Sequence, residues 1–332
     1  MNYTDKLQRL YERRTDPTVS MESMIGDSLD KSFVTFSNKS ENAKAQEYIQ
    51  TAMMPLSERS TQISFEEGER VKKHLQEGLD ERGMDITFEY QGSVTCNTHI
   101  KGASDIDLLV ITEKFYSLEP PLKPSNPYKG SPTSDMQELR DTCYEILQEA
   151  YPVAKIENKG AKSIKIRGGS LRRDIDVVPA NWFDSVLYDK YKYDYLRGVQ
   201  VFDKQTKERT ANFPFYNRYL VEQKDNKCQG LYRGLVRLGK TIREDSDNKL
   251  VNGISSYDIQ ALFYSMPDNY YQNMNSNKIL LVATSFLDEL IKNPNGFANI
   301  KVPDGTRKIA DKVSLAQLKA FYEEFLELSR FV

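Results

Sequence analysis

The segment Asp105-Ile106-Asp107-Leu108-Leu109-Val110-Ile111 constrains this chain more than any other. Its apolar run describes a buried strand, yet the strand opens on two acids. A period of two places both carboxylates on one face, with Ile106, Leu108 and Val110 on the other. Two like charges side by side on such a strand repel one another and resist burial. A hard divalent cation between them supplies the missing charge, so the sequence predicts a metal site at the head of a strand.

Arg173-Asp174-Ile175-Asp176-Val177-Val178-Pro179 repeats the pattern. Laid beside the first strand, it completes a three-carboxylate set able to hold two Mg²⁺ ions. That arrangement stabilises both the attacking and the leaving oxygen of an in-line phosphoryl displacement. Asp174 and Asp176 share a face, so strand geometry alone leaves both open as the third ligand. Upstream, Ile86, Phe88 and Tyr90 alternate as a strand that exits through Gly92-Ser93. There a glycine permits close backbone approach, and N–H groups with a hydroxyl suit a triphosphate.

Around these motifs the spacing predicts helices over 42–54 and 65–80, the second ended by Gly83. Pro120, Pro121, Pro124, Pro127 and Pro132 mark a long loop. Ser134 then caps a helix with Gln137, whose buried stripe is Met136, Leu139, Cys143, Ile146, Leu147 and Ala150. Short strands are expected around 153–157, 162–167 and 172–178. Beyond Pro179 the pattern turns helical with no further sheet, as in the Leu231, Leu235, Leu238, Ile242 repeat. The expectation is an α+β chain: a mixed-sheet lobe over 1–180, a mostly helical lobe over 181–332, and a site in the crevice between them.

Composition excludes several classes. At 332 residues with 39% apolar and 28% charged side chains, the chain is neither a stapled mini-protein nor disordered. The apolar run at 279–283 falls far short of the roughly 20 residues of a membrane span, and the first residues lack a secretory apolar stretch, so a cytoplasmic protein is expected. Cys96, Cys143, Cys228, His74 and His99 are too few and too scattered for a disulfide framework or a zinc site. A formal charge of -2 rules out a general polycation, although Lys155–Arg173 carries seven basic residues against Glu157 alone. That stretch reads as a surface for an RNA activator, as part of the nucleotide crevice, or as a solvated hairpin edge.

The combination of Gly92-Ser93, Asp105-Ile106-Asp107 and Asp176-Val177-Val178-Pro179-Ala180 resembles the polymerase-β-type nucleotidyltransferases. Within that superfamily the chain resembles the bacterial cGAS/DncV-like enzymes that make oligonucleotide second messengers in antiphage defence. The resemblance implies a nucleotidyltransferase lobe packed against a helical lobe. It also implies two Mg²⁺ ions, with Mn²⁺ as a substitute, on Asp105, Asp107 and Asp176. Substrates are then ATP, GTP or other ribonucleoside triphosphates, joined into a cyclic product that reaches a downstream effector without direct contact. The loop Val94-Thr95-Cys96-Asn97-Thr98-His99 departs from the Arg-Gly-Thr-like wording of many relatives, and the zinc insertion of the DNA-sensing branch has no counterpart here.

Three further expectations concern the nucleotide. Arg233, Arg237 and Lys240 follow a 0, 4, 7 spacing opposite the leucine stripe, on a solvent-side face. By resemblance, Lys240 in Leu235-Val236-Arg237-Leu238-Gly239-Lys240 contacts the triphosphate, as does Ser255 or Ser256. Ser255 with Asp258 also has capping-box spacing. Tyr188, Tyr191, Tyr193 and Tyr195 either stack on a base or pack between lobes. Two alternatives share some of these features: a related transferase acting on RNA ends, a small molecule or a protein, and a noncatalytic nucleic-acid-binding or scaffold protein.

Overall fold

In the computed structural model, which describes residues 3–14, 39–102 and 104–332, seven strands form one mixed sheet. They are β1 (Ile86–Gln91), β2 (Ile106–Leu118), β3 (Lys155–Glu157), β4 (Ile164–Arg167), β5 (Ile175–Asp184), β6 (Gly198–Asp203) and β7 (Glu208–Asn212). The order is β1-β2-β5-β4-β3, with β6 also paired to β5 and β7 to β6. β2 and β5 run parallel, and every other pair is antiparallel. A parallel pair covered on both faces accounts for the near-continuous apolar runs of these two strands.

The longer helices are α1 (Tyr3–Arg14), α2 (Glu41–Met53), α3 (Glu58–Glu81), α4 (Pro132–Ala150), α5 (Pro214–Lys227), α6 (Leu231–Asp245), α7 (Ser256–Ser265), α8 (Ser276–Lys292) and α9 (Leu315–Ser329). Among the described residues, no helix is long and apolar enough to cross a membrane.

The chain divides into two compact units. The sheet unit comprises Ser57–Cys96 and Ser104–Leu220. On one face of its sheet, Ile106, Leu108, Val110, Ile164, Ile166, Ile175 and Val177 pack with Val71, Leu75 and Leu79 of α3 and Met136, Leu139 and Cys143 of α4. The opposite face carries Leu109, Ile111, Val178, Ala180, Trp182, Val199, Val201 and Phe215. Each fully buried aliphatic side chain contributes about 1.5–3 kcal/mol, so the two layers together hold the central strands in one register.

The helical unit contains the described residues of 1–56, 97–102 and 221–332. Tyr3, Leu7, Tyr48 and Ile49 of α1 and α2 are buried, as are Leu235, Leu238 and Ile242 of α6. Phe263, Phe321 and Phe325 form a ring cluster between α7 and α9. The N-terminal helices are tied in by Asp245 at the end of α6. It pairs with Arg13 at 2.8 Å and accepts a hydrogen bond from the Tyr48 hydroxyl at 2.8 Å.

Three local expectations differ from this architecture. Residues beyond 180 carry more sheet: β6 pairs with β5 from Ala180 to Phe183 and brings β7 with it. Accordingly 181–220 cluster with the sheet, while α1 and α2 cluster with the C-terminal helices rather than with a lobe over 1–180. The cap of α4 is Ser131, whose hydroxyl accepts from Ser134 N, because Pro132 suits the first helical turn, where its missing N–H costs nothing.

Candidate active site

The parallel pairing of β2 with β5 sets Asp107 opposite Asp176, between the core pairs Ile106↔Ile175 and Leu108↔Val177. A slip of one residue in either strand would turn that strand's acid into the core, so the apolar neighbours fix the register of the carboxylates. Asp105 lies just before β2, where the Ile106 N–H donates to the Asp174 carbonyl at 3.1 Å. Asp174 itself is turned to Arg167 at 3.2 Å and is 44% exposed. Of the two acids left open by strand geometry, Asp176 is the one in register with Asp107.

On the other side of β2, Gln91 pairs with Asp107 at the end of β1. The next residue, Gly92, takes φ +81° and starts a single helical turn, Gly92–Thr95. A Cβ built on Gly92 would lie 2.1 Å from Asp107 Oδ2. The glycine therefore both permits the left-handed backbone and leaves the space that this carboxylate oxygen occupies. Ser93 follows, half-buried.

A cation is already among the acids. Lys165 of β4 pairs in register with Asp176, and its ammonium lies 3.1 Å from Asp176 Oδ2 and 3.2 Å from Asp105 Oδ2. Ser163, one residue ahead of β4, is also within hydrogen-bond distance of Asp176 Oδ2 through its hydroxyl, at 3.2 Å. Burial pushes the Asp176 carboxyl above the ordinary carboxylate value, and Lys165 only partly offsets this. For Lys165, burial opposes the charge, but Asp176 and Asp105 outweigh it and raise the ammonium pKa. The alternation Ser163-Ile164-Lys165-Ile166-Arg167 carried this signal. Ile164 and Ile166 face the core, so the polar members lie on the carboxylate side. As a member of the basic stretch, Lys165 reads in the sequence as part of the nucleotide crevice, of an activator surface or of a solvated hairpin edge, and the structure instead sets it between two of the carboxylates.

Ser163 is held in turn by a residue that sequence reasoning missed. Arg140 of α4 is fully buried and donates to Asn158 Oδ1 and to the carbonyls of Gly160, Ala161 and Ser163 at 2.8–3.0 Å. An arginine inside an otherwise apolar stripe is a buried charge in need of acceptors, and the β3–β4 turn supplies them.

The remaining predicted site residues lie in the helical unit. Lys240 is 1% exposed, and its ammonium donates to the Thr98 carbonyl at 2.8 Å. Arg237 is 5% exposed and donates to the carbonyls of Met53 and Asn97, while Arg233 pairs with Asp225. Burial lowers the Arg237 pKa to about 10. The cationic row is thus not a solvent-side face. α6 is covered on that side too, and the heads of Arg237 and Lys240 satisfy backbone carbonyls while that of Arg233 meets a carboxylate. Ser255 caps α7 by accepting from Asp258 N at 3.0 Å, and the Ser256 hydroxyl accepts from Arg243 at 3.1 Å.

The basic stretch is largely neutralised within the sheet unit. Lys155 pairs with Glu157, Lys165 with Asp105 and Asp176, Arg167 with Asp174, and Arg172 with Glu66 and Glu67. Tyr191, Tyr193, Tyr195 and Tyr219 stack on one another, nearly parallel, with successive centroids 6.3, 5.5 and 4.2 Å apart. A cavity of about 340 Å³, lined in part by Met84, Ile86, Thr112 and Leu139, opens at the far end of β1 and includes none of the predicted site residues.

The donor set at the strand heads consists of hard carboxylate oxygens, without thiol or imidazole, which fits Mg²⁺ in chemistry. The missing Cβ of Gly92 keeps Asp107 Oδ2 in place beside them. Among the described residues, no three acids, histidines or cysteines are drawn close enough to form a finished metal cage, and two of the three carboxylates are turned to Lys165.

Residues 220–330 match the family described as the cGAS/DncV-like nucleotidyltransferase C-terminal helical domain. Over 286 residues, 84% of this chain and 74% of its relative, the sequence is 36% identical to the cyclic dinucleotide synthase CdnE of Yersinia aleksiciae. The chain belongs to the cGAS/DncV-like nucleotidyltransferases. A c-di-GMP synthase of Capnocytophaga granulosa is 34% identical, covering 78% of each chain. The solved structure of a STING-associated CdnE c-di-GMP synthase from that organism superposes with a TM-score of 0.77 at 30% identity, over 99% of this chain and 98% of the other. This cGAS/DncV-like chain is therefore an enzyme that transfers nucleotides, and the noncatalytic alternative is set aside. Its nucleotidyltransferase lobe and helical domain meet the α+β expectation. Enzymes of this family are generally dependent on divalent metal.

Proposed function

We propose that the chain joins two ribonucleoside triphosphates, GTP among them, into a cyclic dinucleotide with release of pyrophosphate, using Asp105, Asp107 and Asp176. The observation that carries this reading is the register of Asp107 opposite Asp176 beside the bare backbone of Gly92. The names of the relatives, cyclic dinucleotide synthase and c-di-GMP synthase, support the product class.

Divalent ions held by the three carboxylates, two Mg²⁺ with Mn²⁺ as a substitute, would supply Lewis-acid stabilisation of charge on the attacking and leaving oxygens. The chain's own part is positioning. Two neighbouring strands present short aspartate side chains, so little rotamer freedom remains to be lost. The Ser163 hydroxyl orients Asp176 through Oδ2. Asp176, 14% exposed, accepts the proton of the acceptor hydroxyl as general base. Gly92 and Ser93 offer N–H groups and a hydroxyl to the triphosphate. A second round at the same carboxylates closes the ring, and the product, rather than a protein contact, carries the signal to an effector in antiphage defence.

Mass spectrometry of primer-free reactions with Mg²⁺ and all four ribonucleoside triphosphates tests this. A cyclic dinucleotide and pyrophosphate are expected, with none formed by Asp107→Ala at an unchanged melting temperature. Products that are extensions of added RNA, or an active Asp107→Ala, would overturn the reading.

A further inference from the structure

Lys165 is not explained by nucleotide transfer alone. Its ammonium sits between the carboxylates of Asp176 in β5 and Asp105 just ahead of β2, at 3.1 and 3.2 Å, and its side chain is 33% exposed. Because it pairs in register with Asp176, this placement is set by backbone pairing rather than by a chance rotamer. Lys165 and the Ser163 hydroxyl both approach the same oxygen, Asp176 Oδ2. The neighbouring cation on that face, Arg167, is taken by Asp174.

We propose that Lys165 is a built-in competitor of the divalent metal: it bridges Asp105 and Asp176 when no ion is bound and must withdraw before both can ligate one. The inference rests on the reading of these carboxylates as metal ligands. An ammonium and a divalent cation cannot share two carboxylate oxygens at hydrogen-bond distance, because both the space and the favourable potential belong to one of them. Partial exposure gives the four-carbon stem solvent to move into, so exchange needs no rearrangement of the strand. The competitor also answers the problem posed by the sequence, since it compensates acids that would otherwise repel one another at the strand heads.

The test uses the full chain and Mn²⁺ alone, without nucleotide, with free Mn²⁺ counted by electron paramagnetic resonance. Lys165→Met is expected to bind Mn²⁺ roughly tenfold or more tightly than wild type, since a positive charge beside the ion is gone. Lys165→Gln, which keeps a donor but loses the charge, should behave likewise and serves if the Met variant folds poorly. Lys165→Arg should bind no more tightly than wild type. Without metal, both neutral variants should melt below wild type, and Mn²⁺ should raise their melting temperatures by more than it raises that of wild type. Equal or weaker Mn²⁺ binding by both neutral variants, with binding abolished by Asp105→Asn or Asp176→Asn, would overturn the competitor and leave the metal site. Binding indifferent to those two Asp variants, or absent from every protein, would overturn the metal site and the competitor together.

Discussion

Replacing Gly92 by alanine separates the backbone role of this residue from its role beside Asp107. At φ +81° a Cβ costs about 1–2 kcal/mol, and each kcal/mol lowers the melting temperature by roughly 2–4 °C in a domain of this size. A loss of about 2–8 °C follows from strain alone. The new Cβ would also stand 2.1 Å from Asp107 Oδ2 and 3.1 Å from its Cγ. The carboxylate must retreat by about 1 Å to restore contact distance, and misplacement on that scale costs on the order of a hundredfold in rate. Gly83→Ala is the control: its φ is +68°, yet a Cβ there meets nothing within 4 Å. Pyrophosphate release and product mass, read beside melting curves, should show both variants destabilised but only Gly92→Ala slowed about a hundredfold. Turnover of Gly92→Ala within threefold of wild type would refute the argument that this turn is shaped around the carboxylate.

Two other substitutions probe the assignments. Asp176→Asn should abolish product formation, whereas Asp174→Asn, which touches an Arg167 pair on a more exposed strand end, should retain a measurable fraction; initial rates decide, and the reverse order would make Asp174 the third ligand. Lys240→Met should lower the melting temperature, because it strands the Thr98 carbonyl at a cost of about 1–3 kcal/mol, and a variant as stable as wild type would show that the bond is dispensable.

The central strands were legible in the sequence because an apolar run headed by two acids has few other uses. The same holds for the face of Ile106, Leu108 and Val110 against α3 and α4, since period two leaves no choice. β6 and β7 were not legible. Gly198-Val199-Gln200-Val201-Phe202-Asp203 is set by its pairing along β5, and Glu208–Asn212 is a polar edge of intermediate burial that pairs with β6, so both depend on a neighbouring strand rather than on their own pattern. Lys240 and Arg237 misled for a different reason. Polar heads mark solvent only when no backbone carbonyl awaits them, and helix spacing does not reveal that Met53, Asn97 and Thr98 come to this side of α6. Lys165 hid in a basic stretch that looked like one charged field, whereas strand pairing distributes its members to separate acids.

The tie between Arg13 and Asp245 spans 232 residues of chain, and this has a consequence for synthesis. At about 5–20 residues per second, α1 and α2 leave the ribosome roughly 10–50 s before the helix that receives them. Leu7, Leu10, Tyr48 and Ile49, all buried in the finished protein, wait through that interval while the whole carboxylate-bearing sheet emerges and closes its own core. A ribosome that stalls before residue 231 therefore leaves a completed sheet and, separately, an α2 whose apolar face lacks α6. The order of the segments makes the helical unit the last to assemble, with the Arg13–Asp245 tie closing only after α6 is made.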